Sequence, residues 1–388
     1  MTLFTTIALV VLISSIVLLF HTYLGIYLSL ALFVRRKKPA VTEVGDDQLP
    51  TSTVLIPAYN EELFIGKLVE NISAQNYPPD KLKIIVGSDQ STDRTDEIVQ
   101  SFDPTRVTLF RMPERGGKSK IMDTVIPTVT SEVVIIIDAN VQCQPETLRR
   151  LVERFVNPAI GCVGGRIILK PPKESRNVEL ESSYRDYEIT LKRLMSQLGV
   201  VIGLYGGLYA FRQVAFKPIH RGTGLAHDDV IIPLDIMGEG YRVEFAEQAI
   251  AYEETNPSIR GEFRRRVRMT AYNLNSVIPT LRQSFHAGMV AGYVALSYKV
   301  IRWFAPFIWG LLTLAVFSLL FIHPIVNALA GVILAGILLA LIGWLFDLAG
   351  KRMPIATACY HFAAMNIASY IGLKGWLTGG KSYWTPRG

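Results

Sequence analysis

The apolar positions of this chain fall into three kinds of pattern. Long unbroken apolar runs lie towards the two ends, short β-branched runs alternate with helix-spaced segments in the middle, and a basic amphipathic stretch separates the middle from the second set of long runs. Leu3 to Val34 carries no Lys, Arg, Asp or Glu and exceeds the roughly 20 residues that a spanning helix needs. Arg35-Arg36-Lys37-Lys38 follows at once. The positive-inside rule then places the N-terminus outside and the chain after it in the cytoplasm. A cleaved signal peptide carries its positive cluster ahead of the apolar run, so residues 1–34 read as a transmembrane anchor.

From Thr53 to about Tyr252 strand and helix signals alternate. Thr53–Ile56, Leu82–Val86, Val107–Phe110, Val133–Ile137, Cys162–Leu169 and Tyr209–Phe211 read as strands. Helices are predicted from Glu61 to about Gln75, from a Ser91-Thr92-Asp93 cap to about Phe102, from Glu146 to about Phe155, and from Asp228-Asp229 to about Met237. Val178–Leu198 has helical spacing among charges. Strands separated by helices of this length imply right-handed crossovers and an α/β, mostly parallel sheet, here over residues 51–258. Residues 259–302 read as basic amphipathic interface helices. Trp303–Ile322 and Ile325–Phe346 are each long enough to span, with a turn at His323-Pro324, so 303–346 reads as two transmembrane helices. For 355–388 the expectation is a membrane-associated or re-entrant helix and a C-terminal cytosolic loop, because spanning would place Lys374, Lys381 and Arg387 outside.

Composition sharpens this picture. Half of the 388 residues are hydrophobic and 19% are charged, few charges for a soluble protein. The net charge of +7 is concentrated beside the hydrophobic segments, which points to membrane lipid headgroups and not to nucleic acid. Cys143, Cys162 and Cys359 have no metal-ligand spacing and read as reduced cytosolic residues.

The candidate chemistry lies just after the strands. Val133-Val134-Ile135-Ile136-Ile137 is a β-branched run of the kind buried on both faces of a parallel sheet, and Asp138-Ala139-Asn140 comes directly after it. Leu82–Val86 repeats the design and ends at Asp89. Open α/β sheets bind ligands beyond the carboxyl ends of their strands. If the two strands are neighbours, two acids converge, and a divalent metal carrying a phosphorylated ligand would offset their repulsion. Asn140 adds an oxygen donor on the same side of the extended chain. Each Asp alone has an ordinary alternative as a strand end or helix cap. Asp228-Asp229, before a helix, is either an N-cap pair or the place of a general base. Arg115-Gly116-Gly117-Lys118 offers backbone N–H groups and an ammonium to phosphate, or is a solvated basic loop. Gly206-Gly207 allows close backbone approach to a ligand. On a helix Arg264 and Arg268 share a face; Arg264 and Arg265 read as headgroup contacts.

In that order, these motifs resemble the membrane-bound family 2 glycosyltransferases, the group that includes cellulose, chitin and hyaluronan synthases and many bacterial polysaccharide and glycolipid enzymes. The resemblance implies a GT-A nucleotide-sugar-binding domain with N- and C-terminal transmembrane helices, Mg²⁺ or Mn²⁺, and inversion at the anomeric carbon. Pro57-Ala58-Tyr59-Asn60-Glu61 resembles the first loop, which cups the nucleobase, so Pro57, Tyr59 and Glu61 are expected at the donor. Asp89 matches the acid that contacts the nucleoside, with Gln90 where the family usually has Gly, and Lys118 matches a lysine near the nucleotide. Asp138-Ala139-Asn140 resembles the metal-binding acid–any–acid triplet with its last acid replaced by Asn. Asp228-Asp229 resembles the Glu-Asp pair whose second member is the catalytic base, which implies Asp229. Arg265-Arg266-Val267-Arg268-Met269 occupies the Gln-any-any-Arg-Trp box of processive synthases; only Arg268 matches, which puts processivity in doubt. Lys381-Ser382-Tyr383-Trp384 resembles the loop that covers the donor site, and Trp384 is expected with Gly206 and Gly207 near the acceptor.

The expectation is therefore an integral protein of a bacterial-type plasma membrane with a cytoplasmic catalytic domain. It moves a sugar from a nucleoside diphosphate sugar, UDP-linked by expectation, to a hydroxyl of a membrane-associated glycan or lipid. A single-addition polyprenyl-phosphate or lipid glycosyltransferase is the alternative. A non-catalytic nucleotide-binding membrane protein is the other.

Overall fold

The computed structural model describes residues 3–34, 44–170, 178–219, 228–254, 259–351 and 353–378. Two compact units emerge. One comprises Met1–Ser29, Pro257–Val277 and Leu296–Gly388; the other comprises Leu30–Asn256 and Ile278–Ala295.

The second unit is built on one eight-stranded sheet. Its strands are β1 (Ser52–Ala58), β2 (Leu82–Ser88), β3 (Val107–Arg111), β4 (Val133–Ile137), β5 (Val141–Cys143), β6 (Ile160–Lys170), β7 (Leu208–Arg212) and β8 (Arg242–Glu254). They lie in the order β3-β2-β1-β4-β7-β6-β8-β5. The β1–β2, β1–β4, β2–β3 and β6–β8 pairings are parallel, while β7 runs antiparallel to both β4 and β6, and β5 antiparallel to β8. The sheet is thus mixed and mostly parallel, as the alternation of strands and helices predicts. All five residues of β4 are buried, which explains an apolar run without alternation. The helix Ile65–Ser73 buries Ile65, Leu68, Val69 and Ile72, the spacing of one helical face.

Three sequence expectations are corrected. The strands ending at Asp89 and Asp138 are not neighbours, because β1 lies between them. The first helix begins at Ile65 and not at Glu61, because the amide groups of Glu61 and Glu62 bond side chains of the loop after β2. The strands β5 and β8 add to those that the sequence predicts. In β8, Val243 and Phe245 are buried while Arg242 and Glu244 are partly exposed, so a short period-two signal is there to find.

Among the described residues three helices are long and apolar enough to cross a membrane: Leu3–Phe33, Met289–Ser318 and Pro324–Leu348. Ala8, Leu12 and Leu19 of the first pack with Ala305, Ile308, Leu312, Ala315 and Val316 of the second. The second begins at Met289, earlier than the boundary read at Trp303. Gly288, at φ 135°, ends the preceding amphipathic helix Ile259–Ala287. His323 caps the third helix, its Nδ1 accepting from the Ile325 amide at 3.2 Å, with Pro324 as first helical residue, where a missing N–H costs nothing. A last helix, Pro354–Leu377, holds 24 residues.

Candidate active site

The loops after β1 and β2 are fastened to each other. The Asn60 amide donates to Ser91 Oγ at 3.2 Å, and Asn60 Oδ1 accepts from the Thr92 amide at 2.8 Å. The Glu61 amide donates to Thr95 Oγ1 at 2.8 Å, the Glu62 amide to Asp93 Oδ2 at 3.1 Å, and the Arg94 amide to Glu62 Oε2 at 3.1 Å. Asn60 and Gln90 both take positive φ, 55° and 61°. That is unusual for residues with a Cβ and accounts for a position where glycine would be at ease. Gln90 is tethered instead, its amide donating to the Met112 carbonyl. Arg115 lies over the Tyr59 ring, 3.8 Å from its centroid, so the expected nucleobase loop and the basic loop meet.

Asp89 is almost fully buried, at 2% exposure. Its two carboxylate oxygens accept one backbone bond each, from the Gly116 amide at 2.7 Å and the Gly117 amide at 2.8 Å. Gly117 stands at φ 78°, a left-handed conformation suited to glycine. The helix Lys118–Val125 starts directly after it. Asp89 thereby fixes the residue before Lys118 and sets where the lysine points.

Lys118 reaches the second acid. Its Nζ lies 2.9 Å from Asp138 Oδ1, 3.1 Å from Asp228 Oδ2 and 2.7 Å from the Gly206 carbonyl. Burial alone would lower its pKa, but the charges of Asp138 and Asp228 outweigh that and raise it, so the ammonium is retained. Asp228 Oδ2 also accepts from the Tyr209 hydroxyl at 2.6 Å. Tyr209 is fully buried, and burial together with the Asp228 charge pushes its pKa well above 10. It therefore stays a donor.

The antiparallel β4–β7 register places Ile137 opposite Leu208, which brings the Gly207 carbonyl to accept from the Asp138 amide at 3.3 Å. A Cβ added at Gly207 would lie 3.3 Å from Asp138 Oδ2, 3.1 Å from Ile167 and 3.2 Å from Val141; one at Gly206 would lie 3.9 Å from Lys118 Nζ and 4.0 Å from the Asp229 carboxyl carbon. The glycines therefore let the chain pass between Asp138, Lys118 and Asp229. Asp229 lies in the first turn of the helix Asp228–Gly238, where the helix field favours a carboxylate. Its carbonyl accepts from the Leu204 amide at 3.1 Å, which ties that helix to the Gly203–Gly207 turn. Among the described residues no hydrogen bond is made to the Asp229 carboxylate.

The structure thus brings together Asp138, Lys118, Gly206, Gly207, Asp228 and Asp229, with Asp89, Tyr59, Pro57 and Glu61 on the adjoining loops of the same unit. Asn140 is buried, its amide donating to Glu253 Oε1 at 3.1 Å. Arg268 lies on the helix Ile259–Ala287 within the membrane-helix unit, and Trp384 falls outside the described residues. Tyr209 is the residue that sequence reasoning missed; a hydroxyl inside an otherwise apolar strand is its faint signal. A hard divalent cation asks for one or two carboxylates besides substrate phosphates and water. Asp138, more than a third exposed in its side chain, suits that demand. No cluster of three or more His, Cys, Asp or Glu is found among the described residues.

Over 205 residues the chain is 29% identical to a beta-monoglucosyldiacylglycerol synthase of Nostoc sp.; the match covers 52% of this chain and 43% of the relative, so the chain aligns with less than half of that protein's length. It is 26% identical over 283 residues to the probable glycosyltransferase YdaM of Bacillus subtilis, covering 70% of this chain and 66% of the relative. A mannosyltransferase from Pyrobaculum calidifontis, solved in complex with GDP-Man and Mn²⁺, superposes with a TM-score of 0.67 at 22% identity, covering 98% of this chain and 100% of that one; this likeness establishes the GT-A fold. Residues 53–219 match the family described as glycosyl transferase family 2, a span that holds both strand-end aspartates, Lys118 and the glycine pair. Over residues 53–219, less than half of its length, the chain is thus similar to the family 2 glycosyltransferases, and its described residues also include helices apolar enough to cross a membrane.

Proposed function

We propose that the protein transfers a sugar, with inversion, from a nucleoside diphosphate sugar to a hydroxyl of a membrane-associated lipid or glycan. The observation that carries this reading is the meeting of Asp138, Lys118 and Asp229 around the Gly206-Gly207 turn. Pro57, Tyr59 and Glu61 receive the nucleoside, and Asp89 contributes through the Gly116-Gly117 loop whose amides it holds. Lys118 offers its ammonium to the diphosphate. Asp138 would hold Mg²⁺ or Mn²⁺, which when bound supplies Lewis-acid stabilisation of the leaving diphosphate.

Asp229 is the base that accepts the proton of the acceptor hydroxyl. Its neighbour Asp228 is already engaged by Tyr209 and Lys118, so of the pair Asp229 has the carboxylate left for this role. The glycine pair lines the acceptor side. The name of the Nostoc relative, a glucosyldiacylglycerol synthase, supports a glycolipid acceptor. The loss of Gln and Trp at Arg265 and Met269 supports few additions over a long polymer.

The test is a donor panel. Purified protein is given UDP- and GDP-linked sugars with Mn²⁺ or Mg²⁺, and released nucleoside diphosphate and product size are measured. Turnover of one nucleotide class, dependent on metal, with one or a few sugars added is the expected result. No release from any donor in the presence of a total lipid extract would overturn the reading.

A further inference from the structure

The membrane-helix unit contains a cavity of about 630 Å³, within the range of sites that enclose small ligands. Ile337, Leu341 and Trp344 form one wall, Ala364 and Ile367 the other, and Phe263 and Arg264 of the amphipathic helix lie across it. The cavity exists because the helices Pro324–Leu348 and Pro354–Leu377 touch closely at one level and not at the next. At Gly343 an added Cβ would stand 2.1 Å from the Ala356 carbonyl oxygen, so the backbones are in contact there. Small side chains, Ala340 and Ala364, then leave the space between them unfilled.

The roof is pinned to one wall at several points along its length. Glu262 pairs with His361 at 2.5 Å, Arg266 Nε donates to Ser369 Oγ at 3.3 Å, and Trp376 Nε1 donates to Asn275 Oδ1 at 2.7 Å. A Cβ at Gly372 would meet the Val267 carbonyl at 2.6 Å. The cavity is therefore preformed, and a ligand entering it does not have to order its walls.

Its lining decides the occupant. Every lining residue but Arg264 is apolar or aromatic, and Arg264 makes no ion pair among the described residues. A hydrocarbon-lined space with one uncompensated guanidinium suits a molecule that is apolar along its length and anionic at one end. Basic pockets between membrane helices bind anionic lipid headgroups in this manner.

We propose that this cavity is a binding site for a membrane lipid with an anionic headgroup, the hydrocarbon chain lying between Ile337, Trp344 and Ala364 and the headgroup on Arg264. None of the lining residues is assigned to sugar transfer, and the inference does not depend on that reading. It turns the general attraction of a basic helix to headgroups into a single saturable place.

The full chain is purified in detergent, mixed with micelles of phosphatidylglycerol or phosphatidylcholine of identical acyl chains, and the retained lipid is counted by native mass spectrometry. The wild type is expected to retain one phosphatidylglycerol, preferred about fivefold over phosphatidylcholine, the effect of one basic side chain at an anionic headgroup. Arg264→Gln, on an exposed residue, should abolish the preference. Ala364→Trp, which fills the cavity, should abolish retention of both lipids, whereas Leu334→Trp on the exposed side of the same span should change neither. Equal retention of both lipids by the wild type, or an unchanged preference in Arg264→Gln, overturns the proposal. As a second readout, dibrominated phosphatidylglycerol should quench a fluorescence component that is lost in Trp344→Phe; quenching that is identical in that variant counts against the site.

Discussion

The ends of β2 and β4 look alike in sequence, a β-branched apolar run closed by an aspartate, yet the two carboxylates have different surroundings. Asp89 is buried at 2% exposure and gives both oxygens to backbone amides. Asp138 keeps over a third of its side chain exposed and shares one oxygen with a lysine. A carboxylate saturated by amides holds a loop in place. One with an open lone pair and a side-chain counter-charge is available to an incoming cation or ligand. The difference arises not in the two strands but in the loop after β3. Its Gly116-Gly117 turn closes on Asp89, and the next residue, Lys118, extends to Asp138. The first acid thus positions the partner of the second.

The largest expected effect comes from the base. Asp229→Asn should lower the turnover number by about 10² to 10⁴-fold, the usual worth of general base catalysis, while donor affinity measured by calorimetry stays near that of the wild type. Near-normal turnover would remove Asp229 from the role. Asp138→Ala should abolish Mn²⁺-dependent strengthening of donor binding, a loss of about 10²-fold or more if the ion contributes several kcal/mol. Calorimetry with and without Mn²⁺ reads this directly, and a metal effect that persists would move the cation site elsewhere.

The comparison is sharpened by Asp89→Asn. The new amide group faces a backbone donor that it cannot accept from, so a buried N–H is left unpaired at a cost of about 1–3 kcal/mol. Urea unfolding should show that loss, and donor KM should rise more than turnover falls. A variant with wild-type stability would refute the latch. Tyr209→Phe removes one hydrogen bond to a charged acceptor, worth about 1.5–3 kcal/mol at most. Turnover is expected to drop about tenfold with donor affinity little changed, and Asp228→Asn in the same background should add less than it does alone.

Much of this arrangement is legible in the sequence. The apolar run Val133–Ile137 announces a strand buried on both faces, and it is one. The position of acids after strands announces a ligand edge, because parallel strands with short loops beyond them leave side chains there and nowhere else. Other features depend on long-range pairing and have no local signal. That β1 separates β2 from β4 is a matter of topology, not of either strand's residues. Tyr209 becomes a polar partner only because β7 runs antiparallel beside β4 and carries its hydroxyl to Asp228. Gln90 reads as a departure from a glycine pattern; the backbone keeps the left-handed turn regardless, and the side chain anchors it on Met112.

One ammonium serving two acids has an experimental consequence. With Lys118 Nζ held by both Asp138 and Asp228, replacing the lysine leaves both acids without it, and replacing either acid leaves the lysine to the other alone. Measured losses at these positions will not sum, and the triple replacement should cost less than its parts taken together. Roles there are separable only by thermodynamic cycles that change Lys118 alongside each acid in turn.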